Sequence, residues 1–281
     1  MEERKITAEQ IESFARSLRQ EERASGTIEN YLRHVRAFAR WARGRNVTKE
    51  LAAEWKEHLI GRDYCAGTVN TVLVSVNRFF QFMGWERCQV KTLRIQRQMF
   101  REDRRELTQT EYLRLVAAAK AQGRERLMLI METICATGIR VSELKYITVE
   151  ALRGRRTDIA LKWKIRTILI PGKLAKRLLR YCREEKIVSG EVFLTRNRKA
   201  ISRKQIWAEM KSVCAMAGVA QSKVYPHNLR HLFARTFYRA CRDVARLSDV
   251  LGHSSIETTR IYLISTGKEH AKTLNQLGLV V

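Results

Sequence analysis

The chain is poor in the residues that interrupt helices, with only two prolines, Pro171 and Pro226, among 281 residues. Proline breaks helix interiors, so most of the sequence is free to form uninterrupted helices. No apolar run reaches the roughly 18 residues that a membrane-spanning helix needs. The charged amino terminus is unlike a signal peptide, and these absences together predict a helical protein of the cytoplasm.

Metal-ligand patterns are also lacking. Six cysteines occur, but none forms a C-x-x-C pair, and no Cys/His cluster has zinc spacing. The sequence therefore predicts free thiols in a reducing compartment, no metal site and no cofactor.

Acidic residues are scarce relative to basic ones. There are 54 Lys and Arg against 29 Asp and Glu, which gives a net charge of +25 and a pI near 10.4. Residues 1–100 contribute +6 of this excess, and residues 101–281 contribute +19. A polyanion is the expected partner, because basic surfaces bind phosphate backbones by charge and counterion release. A merely soluble basic protein and a binder of anionic membranes are the alternatives, although no lipidation motif or basic amphipathic anchor supports the second.

Apolar periodicity predicts helices through most of residues 1–95. In the stretch TIENYLRHVRAFARWA, the flank of the apolar face carries a row of arginines at helical spacing, Arg33, Arg36, Arg40 and Arg43. Such a row is either a solvated face or a contact for phosphates. Residues 96–106 are highly charged without periodicity, and they predict a basic linker between two domains.

Residues 107–281 form the second predicted domain. It is mostly helical, and one region rich in β-branched residues, TDIALKWKIRTILIP, predicts a small antiparallel hairpin that turns near Lys162–Lys164. The expected fold class is mainly α, with a helical domain first and a mixed, mostly helical domain with a small sheet second.

Three segments of the second domain concentrate polar residues. ATGIRVSEL places Arg140 and Glu143 three residues apart, and PHNLRHLFA does the same for His227 and Arg230. LGHSSIETTRIY contains His253, a Ser254–Glu257 capping box and Tyr262. Taken singly, an ion pair and two capped helix ends would explain these segments.

Together the segments suit chemistry on a phosphodiester. Arginine's planar fork matches two phosphate oxygens and stays charged, whereas histidine can donate to phosphate or move a proton. The motifs TGIRVSEL, HNLRH and LGHSS, with IY nine residues after the histidine, resemble the tyrosine recombinase (phage integrase) family in order and spacing. The helices TIENYLRHVRAFARWA and TVNTVLVSVNRFFQFMGW resemble its core-binding, SAM-like domain.

The resemblance implies a site-specific recombinase that cuts and rejoins DNA without metal or ATP, in integration, excision or resolution. It implies phosphate binding by Arg140 and Arg230, proton transfer by His227 and a hydrogen bond from His253 to the scissile phosphate. Tyr262 would form the 3′-phosphotyrosyl link. Glu143 would support the site structurally.

The family also places a catalytic lysine in the hairpin, often as G-K-G followed by K-x-R. The hairpin here reads LKWKIRTILIP, without the glycines. Lys162 is the better match, and Lys164 is the alternative.

The resemblance further implies partners and a place in the cell. Double-stranded DNA with paired inverted core sites would be bound by a homotetramer or heterotetramer, near the bacterial nucleoid. The apolar tail after Tyr262 would dock on a neighbouring protomer, or it packs on its own domain. Two rival functions remain at this level: relaxation of DNA by a type IB topoisomerase, and regulation by a DNA-binding protein without catalysis.

Overall fold

The computed structural model describes residues 4–95, 106–161, 164–253, 255–260, 262 and 275–276, without the side chains of residues 160–165 and 260. The chain divides into two compact units, Met1–Arg97 and Gln98–Val281, and each has its own buried apolar cluster. The predicted linker lies outside the described residues except for Glu106.

Four α-helices build the described part of the amino-terminal unit: α1 (Ala8–Gln20), α2 (Ser25–Ala42), α3 (Lys49–Ile60) and α4 (Ala66–Phe82). Helix α1 begins after a capping box, in which Thr7 accepts from the backbone of Gln10 and the Gln10 side chain accepts from the Thr7 N–H. The helices pack on an aromatic core, where the rings of Phe14 and Phe79 meet edge to face with centroids 5.4 Å apart.

The arginine row of α2 is exposed, as its position beside the apolar face predicts. Within the described residues, Arg36, Arg40 and Arg43 make no ion pair, whereas Arg45 binds the carboxylate of Glu54 at 2.9 Å. This flank of α2 is therefore a positively charged surface that no described carboxylate neutralises.

The second unit is mainly helical. Its helices are α5 (Gln109–Ala121), α6 (Glu125–Thr137), α7 (Val149–Gly154), α8 (Gly172–Glu184), α9 (Arg203–Ser212), α10 (Cys214–Ala217), α11 (Pro226–Cys241), α12 (Val244–Leu251) and α13 (Ile256–Arg260). Short 3₁₀ helices span Val141–Tyr146 and Gln221–Lys223 here, and Glu86–Cys88 in the first unit. Helices α6 and α11 pack on each other in the core and bring the first two polar segments together.

The predicted hairpin is present. Strand β1 (Arg156–Leu161) pairs antiparallel with β2 (Lys164–Leu169), in a register that joins Arg156 to Leu169 and Leu161 to Lys164. Alternation along the strands buries Ile159 and Ile168 against the helices. The mainly helical class with one small antiparallel sheet is confirmed.

Two segments depart from a regular, continuous α-helix. Apolar periodicity predicts one helix over Arg203–Ala217, but the structure divides it, because α9 ends at Ser212 and α10 starts at Cys214. The segment after Arg140 forms the 3₁₀ helix Val141–Tyr146. Among the described residues, no helix is both long and apolar enough to cross a membrane.

Candidate active site

The first polar segment follows the end of α6. Gly138 ends that helix in the left-handed region at φ 65°, and Arg140 precedes the 3₁₀ helix. The Arg140 backbone N–H donates to Glu143 Oε2 at 2.7 Å, and its Nη1 donates to Oε1 at 3.0 Å. Arg140 keeps 41% of its side chain exposed, so its guanidinium is anchored and still open to a ligand.

Glu143 has a second arginine partner, which the sequence interpretation did not assign to the site. Its side chain is only 2% exposed, and Nη1 of Arg166 from β2 lies 3.3 Å from Oε2. Burial, then the charges of Arg230 and Arg140, lower the pKa of Arg166 to about 10, although Glu143 opposes this. Arg166 therefore remains protonated at neutral pH. The sequence feature that could have identified Arg166 was its position as the arginine in the K-x-R part of the hairpin.

Arg230 lies on α11 and is 1% exposed. Its Nη1 donates to the Gly138 carbonyl at 2.6 Å, and its Nη2 donates to the Leu251 carbonyl at 2.8 Å. Burial and Arg140 lower its pKa, whereas a hydrogen bond with the Tyr262 side chain raises it. The buried guanidinium is thus held largely by carbonyl oxygens at the ends of two helices, α6 and α12.

His253 follows α12 and has a defined protonation pattern. Nη2 of Arg230 lies 2.9 Å from its Nε2, and Thr259 Oγ1 lies 2.8 Å from its Nδ1. Because a guanidinium can only donate, Nε2 accepts and Nδ1 carries the proton, which it donates to Thr259. Burial, followed by Arg230, Arg140, Arg166 and His227, lowers the pKa of His253 to about 4. The imidazole is therefore neutral at physiological pH.

Tyr262 lies in the same cluster, with 5% of its surface exposed. Its ring centroid is 4.4 Å from that of His231, 5.5 Å from that of His253 and 5.9 Å from that of His227. The His253 and Tyr262 rings are nearly parallel, at 16°. Histidines of the second and third polar segments therefore surround this tyrosine, and the first segment joins the cluster through the bond from Arg230 to the Gly138 carbonyl.

His231 was missed as a member of the cluster. It is the last residue of HNLRH, one helical turn after His227, and the two ring centroids are 4.6 Å apart. Residues at i and i+4 share one helix face, so the motif itself held this signal.

Several predicted residues fall outside the described part of the chain. Lys162 lies outside it, and only the backbone of Lys164 is described. Ser254 and nearly all of the tail after Tyr262 also lie outside it. Within the described residues, Ser255 Oγ accepts from the Glu257 backbone N–H at 3.2 Å.

The described site is strongly positive. Three arginines, Arg140, Arg166 and Arg230, approach one another around a single buried carboxylate, Glu143. An anion would offset this excess. No group of three or more His, Cys, Asp or Glu side chains in the described part of the chain is placed to hold a metal ion.

Gly138 is expected to be intolerant of a side chain. A Cβ there would lie 2.3 Å from the Phe233 ring, and φ is positive. For Gly138→Ala we expect urea unfolding to show a loss of at least about 2 kcal/mol, from the left-handed backbone and the clash together. Gly123→Ala is the control, because Gly123 has φ +66° but no atom within 4 Å of its Cβ position. Equal losses in the two variants would contradict the clash.

Comparisons with known proteins identify related sequences and similar folds. Residues 105–269 match the model described as the phage integrase family, and residues 11–87 match its N-terminal SAM-like domain. The tyrosine recombinase XerA of Pyrococcus furiosus is 27% identical, with all of this chain and 98% of the relative covered. The tyrosine recombinase XerC of Roseiflexus castenholzii is 30% identical, with 90% and 88% covered.

Solved structures show the same fold. A λ integrase dimer bound to a COC′ core site superposes with a TM-score of 0.74 at 18% identity, covering 92% of this chain and 77% of that one. XerH bound to difH gives 0.69 at 19% identity, with 95% and 84% covered.

The chain therefore belongs to the phage integrase family. Its relatives are tyrosine recombinases, and its enzyme class is that of the tyrosine site-specific recombinases. The family, fold class and enzyme class predicted from the motifs are confirmed, and the topoisomerase and regulator alternatives are not favoured.

Proposed function

We propose that the protein cuts and rejoins duplex DNA through Tyr262, by way of a 3′-phosphotyrosyl intermediate. The observation that carries this is the placement of Tyr262 against Arg230 and three histidines of its own chain. In cleavage, the tyrosine oxygen bonds to phosphorus and the bond from phosphorus to the 5′ oxygen breaks. The covalent link keeps the phosphoester, so a 5′-hydroxyl of another strand can reverse the step without ATP.

The surrounding residues take complementary roles. Arg140 and Arg230 bind the non-bridging phosphate oxygens, where charge increases in the transition state. His227 accepts the proton of the attacking Tyr262, and Lys162 gives a proton to the leaving 5′ oxygen. Lys164 is the alternative general acid. If Lys164→Ala lost cleavage while Lys162→Ala retained it, Lys164 would be the acid.

His253 must change state to donate to the phosphate. In the DNA-free site its Nε2 accepts from Arg230, so this nitrogen has no proton to offer. A phosphate brings negative charge that offsets the arginines lowering the pKa of this imidazole. Binding of DNA therefore favours the protonated ring, whose Nε2–H can donate to a phosphate oxygen.

This change predicts two titrations. In the free protein, NMR of ¹³C-labelled histidines should place the His253 pKa near 4, and a His253→Asn variant assigns the signal. On a core-site duplex the same pKa should rise, and an unchanged value would contradict the proposed contact. Because the unfolded histidine binds its proton at higher pH, stability should be lost as pH falls from about 6.5 towards 4.

Duplex DNA is the proposed substrate. The net charge of +25 and the exposed arginines of α2 suit a phosphate backbone.

We further propose that the protein acts on paired inverted core sites, as four copies, because a structural neighbour is a λ integrase tetramer bound to a Holliday junction. Residues 96–106 then link a DNA-binding domain, 1–95, to the catalytic domain, 107–281. The tail after Tyr262 docks on a neighbouring copy, and the enzyme acts in the cytoplasm at the nucleoid.

Covalent capture tests the function and selects the target sequence in the same experiment. A library of nicked duplexes with randomised arms is incubated with the protein, and complexes are washed under denaturing conditions. The proposal expects enrichment of related sequences that remain attached to protein. Selected sites are then placed in pairs on a supercoiled plasmid. Exchange between the sites supports recombination, relaxation alone would indicate a topoisomerase, and the absence of any attached DNA would refute cleavage.

A further inference from the structure

Among the three arginines of the described site, Arg166 is the one to which the proposed chemistry gives no task. It comes from β2, its side chain is only 10% exposed, and its Nη1 contacts both oxygens of Glu143, at 3.3 and 3.5 Å. Its Nε and Nη2 are buried with no hydrogen-bond partner among the described residues. Burying a guanidinium with one partner is costly, so this placement needs a reason.

The aliphatic part of Arg166 makes a second close contact. Helix α12 ends at Gly252, which has φ +64°, and a Cβ there would lie 2.3 Å from Arg166 Cδ. The arginine stem therefore packs directly on the backbone of Gly252. The next residue is His253, so Arg166 contacts the peptide segment that orients this imidazole.

Glu143 connects Arg166 to Arg140, one of the two arginines proposed to bind the phosphate. Arg140 uses both its backbone N–H and its Nη1 to bind Glu143. A phosphate would compete with Glu143 for that guanidinium. Because Arg166 supplies a permanent second cation to the carboxylate, Nη1 of Arg140 can turn towards a phosphate without leaving Glu143 as an uncompensated buried charge.

We propose that Arg166 is a positioning residue that aligns Arg140, through Glu143, and His253, through Gly252, on the same phosphate. This role rests on the proposed function of the site and adds to it a residue from the hairpin. Arg166 itself does not touch the reacting atoms. Its removal should slow cleavage much more than it weakens binding of DNA, since binding uses a far larger charged surface.

Lysine cannot perform this role. Its ammonium is a point donor at the end of a shorter stem, so it does not place a donor where Nη1 of Arg166 contacts both oxygens of Glu143. Arg166→Lys thus keeps the charge and changes only the geometry. Misplacement of a catalytic group by about 1 Å can cost about 10²-fold in rate. We expect single-turnover cleavage by Arg166→Lys to fall by about 10- to 100-fold, with Kd for DNA within about 3-fold of wild type.

Arg126→Lys is the matched control. Arg126 is also a partly buried arginine of this unit, and it bonds to the Glu209 carboxylate at 2.7 Å and to the Leu194 carbonyl at 2.7 Å. None of its described partners belongs to the site. This variant should cleave captured DNA at close to the wild-type rate.

A double-mutant cycle shows whether Arg166 acts through Glu143. In a Glu143→Gln background, Arg166→Lys should slow cleavage much less than it does in the wild type, because contacting residues are not additive. In Arg166→Met, the loss of one of the charges around His253 should also raise the NMR-measured pKa of that imidazole. A purely structural role would shift the melting temperature and leave the effects in the cycle additive.

Three results would overturn the role: wild-type cleavage by Arg166→Lys, additive effects in the cycle, or cleavage that falls only in proportion to the folded fraction. Each of these requires an active wild type. If the wild-type protein forms no covalent adduct, the proposed function fails and this role fails with it. Adduct formation by the wild-type protein therefore distinguishes failure of the role of Arg166 from failure of the proposed function.

Discussion

Replacing Tyr262 with phenylalanine is expected to abolish covalent capture of DNA while leaving binding intact. The variant lacks one oxygen, and that oxygen is the proposed nucleophile. Loss of a nucleophile that acts as a unit with its neighbours removes nearly all of the chemical acceleration, and we expect at least about 10³-fold less adduct on nicked duplexes. Denaturing gels measure the adduct, and fluorescence anisotropy measures binding.

The fold should survive this change. The phenylalanine ring keeps the contacts with His231 and His253, and Arg230 keeps its bonds to the carbonyl oxygens of Gly138 and Leu251. Tyr238→Phe is the control, since Tyr238 packs against the same small cluster. An undiminished adduct from Tyr262→Phe would place the nucleophile elsewhere, and loss of adduct from Tyr238→Phe would make the test non-specific.

Replacing Arg230 with lysine is expected to have the next largest effect. The native guanidinium spans Gly138, Leu251 and His253, which no single ammonium can do. Removing a preorganised donor to a developing charge typically costs about 10²–10³ in rate. We expect a loss in this range in single-turnover cleavage, with a lower melting temperature, because buried carbonyl oxygens lose their partner.

Arg235→Lys controls for the loss of a partly buried arginine on the same helix. Arg235 donates to the Leu107 carbonyl at 2.7 Å and pairs with Glu106, and neither partner belongs to the site. This variant can lose stability but should keep its cleavage rate per folded molecule. If Arg230→Lys cleaved DNA at the wild-type rate, the planar guanidinium of Arg230 would not be needed for catalysis.

The parts of the site that the sequence predicts are those encoded over short distances. Arg140 and Glu143 lie three residues apart and do form an ion pair. His227 lies at the start of α11, where Pro226 occupies the first turn. Such features follow from helical spacing and capping alone.

The remaining features depend on contacts between distant segments. No sequence feature within β2 indicates that Arg166 contacts Glu143, which lies 23 residues earlier in the chain. The break at Val213 is hidden for a different reason. Ile206, Met210 and Ala217 are buried on both sides of it, so the apolar period runs through the break without a signal.

One hydrogen bond gives α13 a further property. Thr259, which fixes the tautomer of His253, lies only three residues before Tyr262. A displacement of α13 that carried Tyr262 away from Arg230 would also stretch the bond from Nδ1 to Thr259. The imidazole could then exchange its proton between the two ring nitrogens. The position of Tyr262 and the hydrogen bonding of His253 would thus change together in a single movement of five helical residues, rather than in two independent events.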